Sequence, residues 1–334
     1  MRHSLETAIG ATLKKSHKES KAFMQKKLLN GLIAATCTPL DKSGELHLEV
    51  VPSMVDHLIG VGVRGLYICG STGEGMSLSC NERIAVTQAF VEAVAGRLPV
   101  ISQVGHNSLQ EARRLAREAQ RVGVDAISAT CPSYFKISEV ETLTKCMAEI
   151  AGEAPELPFY YYHIPMLTGS AIHMPEFLMH ASGRIPNLVG IKYTDTKLHE
   201  FQECLELDNR RFEAVWGCDE MLLGALAVGA DAAIGSTYNV MSSLYVQLID
   251  AFQKGDIDQA RRLQSQSVAA IRVMGKYQFQ SALKAVLGMC GCDVGGCRLP
   301  LKNLTKEEVI SLRADLEAIG FFDWAQSEVC PTVC

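Results

Sequence analysis

From residue 31 onward, apolar positions along the chain fall into two alternating patterns. Short runs rich in β-branched residues predict strands at 31–37, 65–70, 99–104, 126–130, 159–163, 188–193, 213–217 and 232–236. Between them lie amphipathic stretches of helical period, such as "LHLEVVPSMVDHLIGVG", "NERIAVTQAFVEAVAG" and "LQEARRLAREAQRVG". Several end at a glycine (Gly62, Gly96, Gly123, Gly229), as helix C-termini often do. Eight strands in strict βα alternation predict an α/β protein, a (β/α)8 TIM barrel. A doubly wound open sheet would usually place a glycine fingerprint after its first strand, and "CTPLDKSGE" is not one.

Beyond the eighth strand only helical period continues, at about 242–254, 257–275, 279–288 and 305–319. The first of these helices would close the barrel, and the rest would form a C-terminal helical appendage. The chain thus divides into a basic, flexible N-terminal extension (1–30), the barrel (31–255), C-terminal helices packed on it (256–322) and a tail (323–334).

Composition narrows the class of partner. The chain has 334 residues, 48% hydrophobic, with a net charge of −5, so nothing draws it to nucleic acid or an anionic membrane. No apolar stretch approaches the roughly 20 residues that span a bilayer. The twelve cysteines are scattered through apolar segments (Cys37, Cys69, Cys131) and read as reduced thiols of a cytoplasmic protein. "CGCDVGGC" lacks both the spacing of a zinc ribbon and a CxxC pair, and no metal is expected there. In the first 30 residues, seven Lys and Arg oppose only Glu6 and Glu19; the stretch is Lys-rich, unlike an Arg-rich transit peptide.

The candidate chemistry gathers at the predicted strand ends, where a barrel of this kind places its working residues. These ends read "GSTGEG" (70–75), "CPSYFK" (131–136), "YYYHIP" (160–165), "LVGIKYTD" (188–195), "GCDE" (217–220) and "GSTYN" (235–239). Lys192 sits inside an apolar strand. Alternation puts Gly190, Lys192 and Thr194 on one side and Val189, Ile191 and Tyr193 on the other. The apolar set suits the helix layer, which sends Lys192 toward the barrel axis. A desolvated lysine favours its neutral form, and a neutral amine attacks carbonyls to form a Schiff base. The competing reading is a structural lysine paired with an acid elsewhere in the chain. Tyr162, on the neighbouring strand, is a candidate proton carrier, against the plainer reading of a packed aromatic with a backbone partner. Ser71 and Thr72 offer hydroxyls among small residues that suit a carboxylate or phosphate.

Taken together, "GSTGE", "YYYHIP" and "GIKYTD", in this order and separation, resemble the class I pyruvate aldolases of the dihydrodipicolinate synthase / N-acetylneuraminate lyase superfamily, from about Gly31 to Phe322. The resemblance implies a Schiff-base lysine at Lys192, a proton-exchanging tyrosine at Tyr162, and a pyruvate carboxylate held by Ser71 and Thr72. It also implies that Tyr134 enters a neighbouring subunit's site in a proton relay, although Ser133 stands where many members have an aromatic. No metal or organic cofactor is implied; the partners implied are a small sugar acid, pyruvate and further copies of the chain in a homotetramer.

Three further places bear on the substrate. Synthases that condense pyruvate with aspartate semialdehyde usually carry a carboxylate-binding arginine two residues after the strand-five proline, and here Leu167 occupies it. "WGCDE" and "IGSTYN" resemble the sialic acid lyases instead. That resemblance puts Gly217, Asp219, Glu220 and Ser236 on the sugar's polyol tail and Thr194 near its hydroxyls. Acidic acceptors facing several hydroxyls fit that ligand, while the plain reading of Asp219 and Glu220 is a helix start. His163 is similar to animal-type lyases, where bacterial members have asparagine. The expected activity is reversible cleavage of N-acetylneuraminate to N-acetylmannosamine and pyruvate. The alternatives are an aldolase for another 2-keto-3-deoxy sugar acid, a dihydrodipicolinate synthase-like enzyme, or a non-catalytic binding member of the family.

Overall fold

Eight parallel strands close on themselves in chain order: β1 (Gly31–Ala35), β2 (Gly65–Ile68), β3 (Val100–Gln103), β4 (Ala126–Ala129), β5 (Phe159–His163), β6 (Leu188–Tyr193), β7 (Glu213–Trp216) and β8 (Ala232–Gly235). The last pairs with the first, from Gly31 opposite Ala232 to Ala34 opposite Gly235. Helices connect successive strands, and the architecture is the predicted (β/α)8 barrel. The computed structural model describes residues 27–325; the rest of the N-terminal extension and the end of the tail, with Cys330 and Cys334, lie outside the described residues.

Both faces of each strand are covered, so the strands need near-continuous apolar sequence, and period-two alternation sorts the side chains. Ile33, Tyr67, Ile101, Tyr162, Val215 and Ile234 fill the barrel, while Leu32, Leu66, Ile127, Ile191 and Trp216 face the helix layer. Strand β6 departs from the predicted alternation at one residue. Phe159 pairs with Leu188 but Tyr160 with Gly190, so Val189 is the extra residue of a bulge. It packs on the interior cluster instead of the helix layer where alternation alone would put it. A bulge shifts parity by one residue, and the pattern resumes above it. Gly190 is required there: a Cβ would stand 1.9 Å from the Glu213 carbonyl oxygen on β7.

The helices are bounded as their sequences direct. Ser79 and Glu82 form a capping box before Cys80–Val94, worth about 1 kcal/mol. Gly62, Gly96, Gly123 and Gly229 all take positive φ just past helix ends, the conformation that admits glycine freely. Residues 27–30, which the sequence pattern groups with the basic extension, lie across the N-terminal end of the barrel. Leu29 is buried, the Leu28 amide donates to Glu213 at 2.9 Å, and the Tyr160 hydroxyl donates to the same carboxylate at 2.9 Å. After β8 come the helices Tyr238–Gln253, Ile257–Met274, Phe279–Met289 and Lys306–Ala318. Leu263, Met274, Leu287 and Leu316 share one buried cluster with the outer faces of the strands. No helix among the described residues is long and apolar enough to cross a membrane.

Candidate active site

Lys192 is 4% exposed and points along the barrel axis near its C-terminal end. Tyr162 stands directly opposite it in the β5–β6 register. The Lys192 Nζ lies 4.0 Å from the centre of the Tyr162 ring and 4.2 Å from that of Tyr67. The two rings meet edge to face at 5.8 Å. Among the described residues no carboxylate lies within ion-pair distance of Lys192. The structural-lysine alternative therefore has no acid to support it, and the amine is solvated by aromatic faces instead. Asp195, three residues on, turns the other way, toward Lys197 at 3.6 Å and His163 at 3.9 Å.

Tyr67 is a member of this cluster that sequence reasoning passes over. It sits two residues after Gly65 on β2 with inward parity, just before "GSTG", and that placement was the available signal. Its hydroxyl bonds the Ser128 hydroxyl at 3.2 Å, and burial holds its pKa well above that of an ordinary phenol. The glycine-rich loop then begins against its ring: a Cβ on Gly70 would come within 2.7 Å of it.

Ser71 and Thr72 follow. The Thr72 hydroxyl bonds that of Ser236, from the loop after β8, at 2.7 Å. This contact joins the predicted anion cradle to the predicted sugar site, which the sequence places 164 residues apart. Thr194 has its Oγ1 buried and without a hydrogen-bond partner among the described residues. Gly217 leaves room beside it, since a Cβ there would stand 2.0 Å from that oxygen.

Asp219 opens a short 3-10 turn, Asp219–Met221, but its carboxylate does not cap that turn. Its Oδ2 accepts from the Thr237 amide at 2.8 Å and the Thr237 hydroxyl at 2.6 Å; its Oδ1 is buried with no hydrogen-bond partner among the described residues. Gly235 makes this possible, because a Cβ would fall 1.8 Å from Oδ1. Thr237, too, is a supporting residue that sequence reasoning did not single out. Glu220, beside it in sequence, is exposed.

Burial pushes the Asp219 carboxyl up from 3.8 to about 6, against the two Thr237 hydrogen bonds. The folded chain thus binds this proton more tightly than the unfolded one. The associated stability is fully present below pH 3.8, falls as pH rises, and is lost above about pH 6. Its size is on the order of 3 kcal/mol. Asp219→Asn, which keeps an acceptor for the Thr237 amide, is expected to remove this slope and to raise the urea midpoint at pH 7. A midpoint-versus-pH series between pH 4 and 8 measures it; an unchanged slope would contradict the assignment.

Besides Glu220, the predicted Tyr134 and the position of Leu167 stand outside the buried cluster. Tyr134 is 80% exposed and packs edge to face on Phe135, also exposed, with ring centres 5.1 Å apart. Asn107 accepts from the Ser133 and Tyr134 amides and fixes this loop. Leu167 is 58% exposed. It lines a cavity of about 280 Å³ that Ser71, Met76, Ile164, Gln280 and Leu301 also border. Neither Lys192 nor Tyr162 lines that cavity, which lies beside the glycine-rich loop. His163, behind β5, lies 5.0 Å from the Tyr193 ring; burial pushes its pKa down to about 4 despite Asp195, which leaves it neutral at pH 7.

Comparison with known proteins bears directly on this geometry. The model of the dihydrodipicolinate synthetase family matches residues 28–319. The N-acetylneuraminate lyase of Rattus norvegicus is 38% identical over 308 residues, 91% of this chain and 96% of the rat protein. That of Xenopus tropicalis is 39% identical over 289 residues, 84% of this chain and 93% of its own. Among solved structures, Proteus mirabilis N-acetylneuraminate lyase superposes with a TM-score of 0.86 at 38% identity, covering 88% of this chain and all of that one.

Proposed function

We propose that this chain, which belongs to the dihydrodipicolinate synthetase family, is a Schiff-base aldolase that cleaves N-acetylneuraminate reversibly to N-acetylmannosamine and pyruvate. The observation that carries the reading is a lysine buried in the barrel between two tyrosine rings, with no carboxylate among the described residues within ion-pair distance. It is supported by relatives named N-acetylneuraminate lyase over most of the chain.

Lys192 attacks the C2 ketone of the open-chain sugar and expels water, forming the imine. Tyr162 accepts the C4 hydroxyl proton as the C3–C4 bond breaks. The bonding electrons pass to the imine nitrogen, giving an enamine and free N-acetylmannosamine. Protonation at C3 and hydrolysis release pyruvate and the amine. Ser71 and Thr72 hold the carboxylate. Thr194, the carbonyl of Gly217, Asp219, Glu220 and Ser236 receive the polyol tail; the unpartnered oxygens of Thr194 and Asp219 are two acceptors that a polyol would satisfy. The reading needs no metal or organic cofactor.

Tyr134 belongs to the relay of a neighbouring subunit in a homotetramer. Its exposure beside Phe135 supports this, since two large rings in water gain by burial against a second chain. A cytoplasmic location fits the nine described cysteines other than Cys290, which are free thiols.

A lactate dehydrogenase–coupled assay tests the substrate. Turnover of N-acetylneuraminate is expected, with 2-keto-3-deoxygluconate slower by about tenfold or more, since each unfilled polar contact costs about 1 kcal/mol or more. Turnover of 2-keto-3-deoxygluconate alone would overturn the choice. Condensation of pyruvate with aspartate semialdehyde is not expected, because Leu167 offers no cation to a second carboxylate.

A further inference from the structure

A second buried lysine contrasts with Lys192. Lys284, on the helix Phe279–Met289, forms an ion pair with Glu74 of the glycine-rich loop at 2.6 Å, and both side chains are essentially inaccessible. The Lys284 Nζ also donates to the Gly296 carbonyl at 2.6 Å, and the Glu74 Oε2 accepts the Arg298 amide at 2.9 Å. The Cys37 thiol beside the pair is itself buried, and burial pushes its pKa up to about 12. A pair so placed gives little net stability over apolar residues of the same volume. Its geometric consequence is larger.

Glu74 ends the loop that carries Ser71 and Thr72, in a strained conformation with φ of 55°, and Cys69 begins it with φ of 55° as well. The loop folds back on itself between those points. The Gly75 amide donates to the Gly70 carbonyl at 3.0 Å and the Glu74 amide to the Ser71 carbonyl at 3.2 Å. Thr38 holds the Gly73 carbonyl at 2.6 Å. No neighbour can relax this packing cheaply, since a Cβ on Gly75 would sit 1.9 Å from the Cys69 carbonyl oxygen. The Glu74 carboxylate is therefore the loop's one charged anchor, and its partners among the described residues belong to the segment after the barrel, residues 284–298.

We infer that Glu74 and Lys284 are positioning residues: the buried pair fixes the Ser71–Thr72 cradle in register with Lys192, so the C-terminal helices set how tightly the 2-oxo acid carboxylate is held. This inference rests on the Schiff-base reading and deepens it.

The test uses the full chain and borohydride trapping of the imine, read as adduct against carbonyl concentration. Pyruvate, which has the carboxylate, is compared with acetone, which lacks it. In Glu74→Gln the half-saturating pyruvate concentration is expected to rise about 10- to 100-fold, the scale of a displacement near 1 Å. The acetone response stays within about twofold, and KM for the sugar acid rises more than kcat falls. Glu74→Gln/Lys284→Met removes both charges, leaves no lone buried ion, and is expected to give the same pattern with a retained melting transition. Equal losses for pyruvate and acetone, an unchanged pyruvate response, or failure of both variants to fold would each assign the pair to stability alone and overturn the inference. Absence of any pyruvate adduct in the unmodified chain would instead overturn the Schiff-base reading, so the two failures are distinct.

Discussion

Lys192→Met is expected to abolish lyase turnover, by on the order of 10⁵-fold, and to eliminate borohydride trapping with pyruvate. The magnitude follows from what is lost: without the amine there is no imine, and the electrons of the C3–C4 bond have no acceptor. The fold should survive the change. Among the described residues Lys192 has no ion-pair partner to strand, and methionine supplies a similar length of apolar chain against Tyr67 and Tyr162. Replacing an unpaired buried polar group with an apolar one is neutral or stabilising. A melting temperature equal to or above that of the unmodified protein, together with lost turnover, separates chemistry from folding. Peptide mapping of the unmodified protein after trapping should place the adduct on Lys192; an adduct on another lysine would end the assignment.

Tyr162→Phe is expected to lower kcat by about 10²- to 10⁴-fold, the range for loss of a positioned proton-transfer group. The ring, and with it the wall beside the Lys192 Nζ at 4.0 Å, remains. Imine formation with pyruvate should therefore persist, because pyruvate binding requires no C–C cleavage. Trapping retained with turnover lost would locate the hydroxyl's role at the bond-breaking step. If trapping fell in parallel with kcat, the hydroxyl would instead be serving imine formation. Tyr67→Phe gives a comparison within the same cluster. The Tyr67 hydroxyl is engaged by Ser128, so its removal should cost far less, about tenfold at most.

The barrel itself was legible because its signals are local. Each strand is a short apolar run between turn residues, and each predicted strand in the chain overlaps an observed one. The inward aim of Lys192 was also legible, from strand parity alone. Val189 was not, because a bulge depends on how two strands pair, and neither strand encodes that by itself. Local pattern also grouped residues 27–30 with a basic extension, yet the carboxylate that receives the Leu28 amide is 185 residues away. Asp219 does stand in the first turn of a helix, as its local sequence reads, but its carboxylate is taken up by Thr237, from another strand's end.

The sequence by itself determined the eight βα units, the closed sheet they imply and, Val189 apart, which strand side chains face the axis, because alternation and helical period are properties of neighbouring residues. It also carried the three motifs that point to imine chemistry. Only the tertiary structure decided which lysine is paired and which is left open. Both Lys192 and Lys284 sit in apolar sequence, and both are buried. The difference is that Glu74, 210 residues before Lys284 in the chain, pairs with one of them, and no carboxylate among the described residues comes within ion-pair distance of the other. Ion pairing falls off with distance in space, and distance in space between remote residues is set by the closure of the barrel.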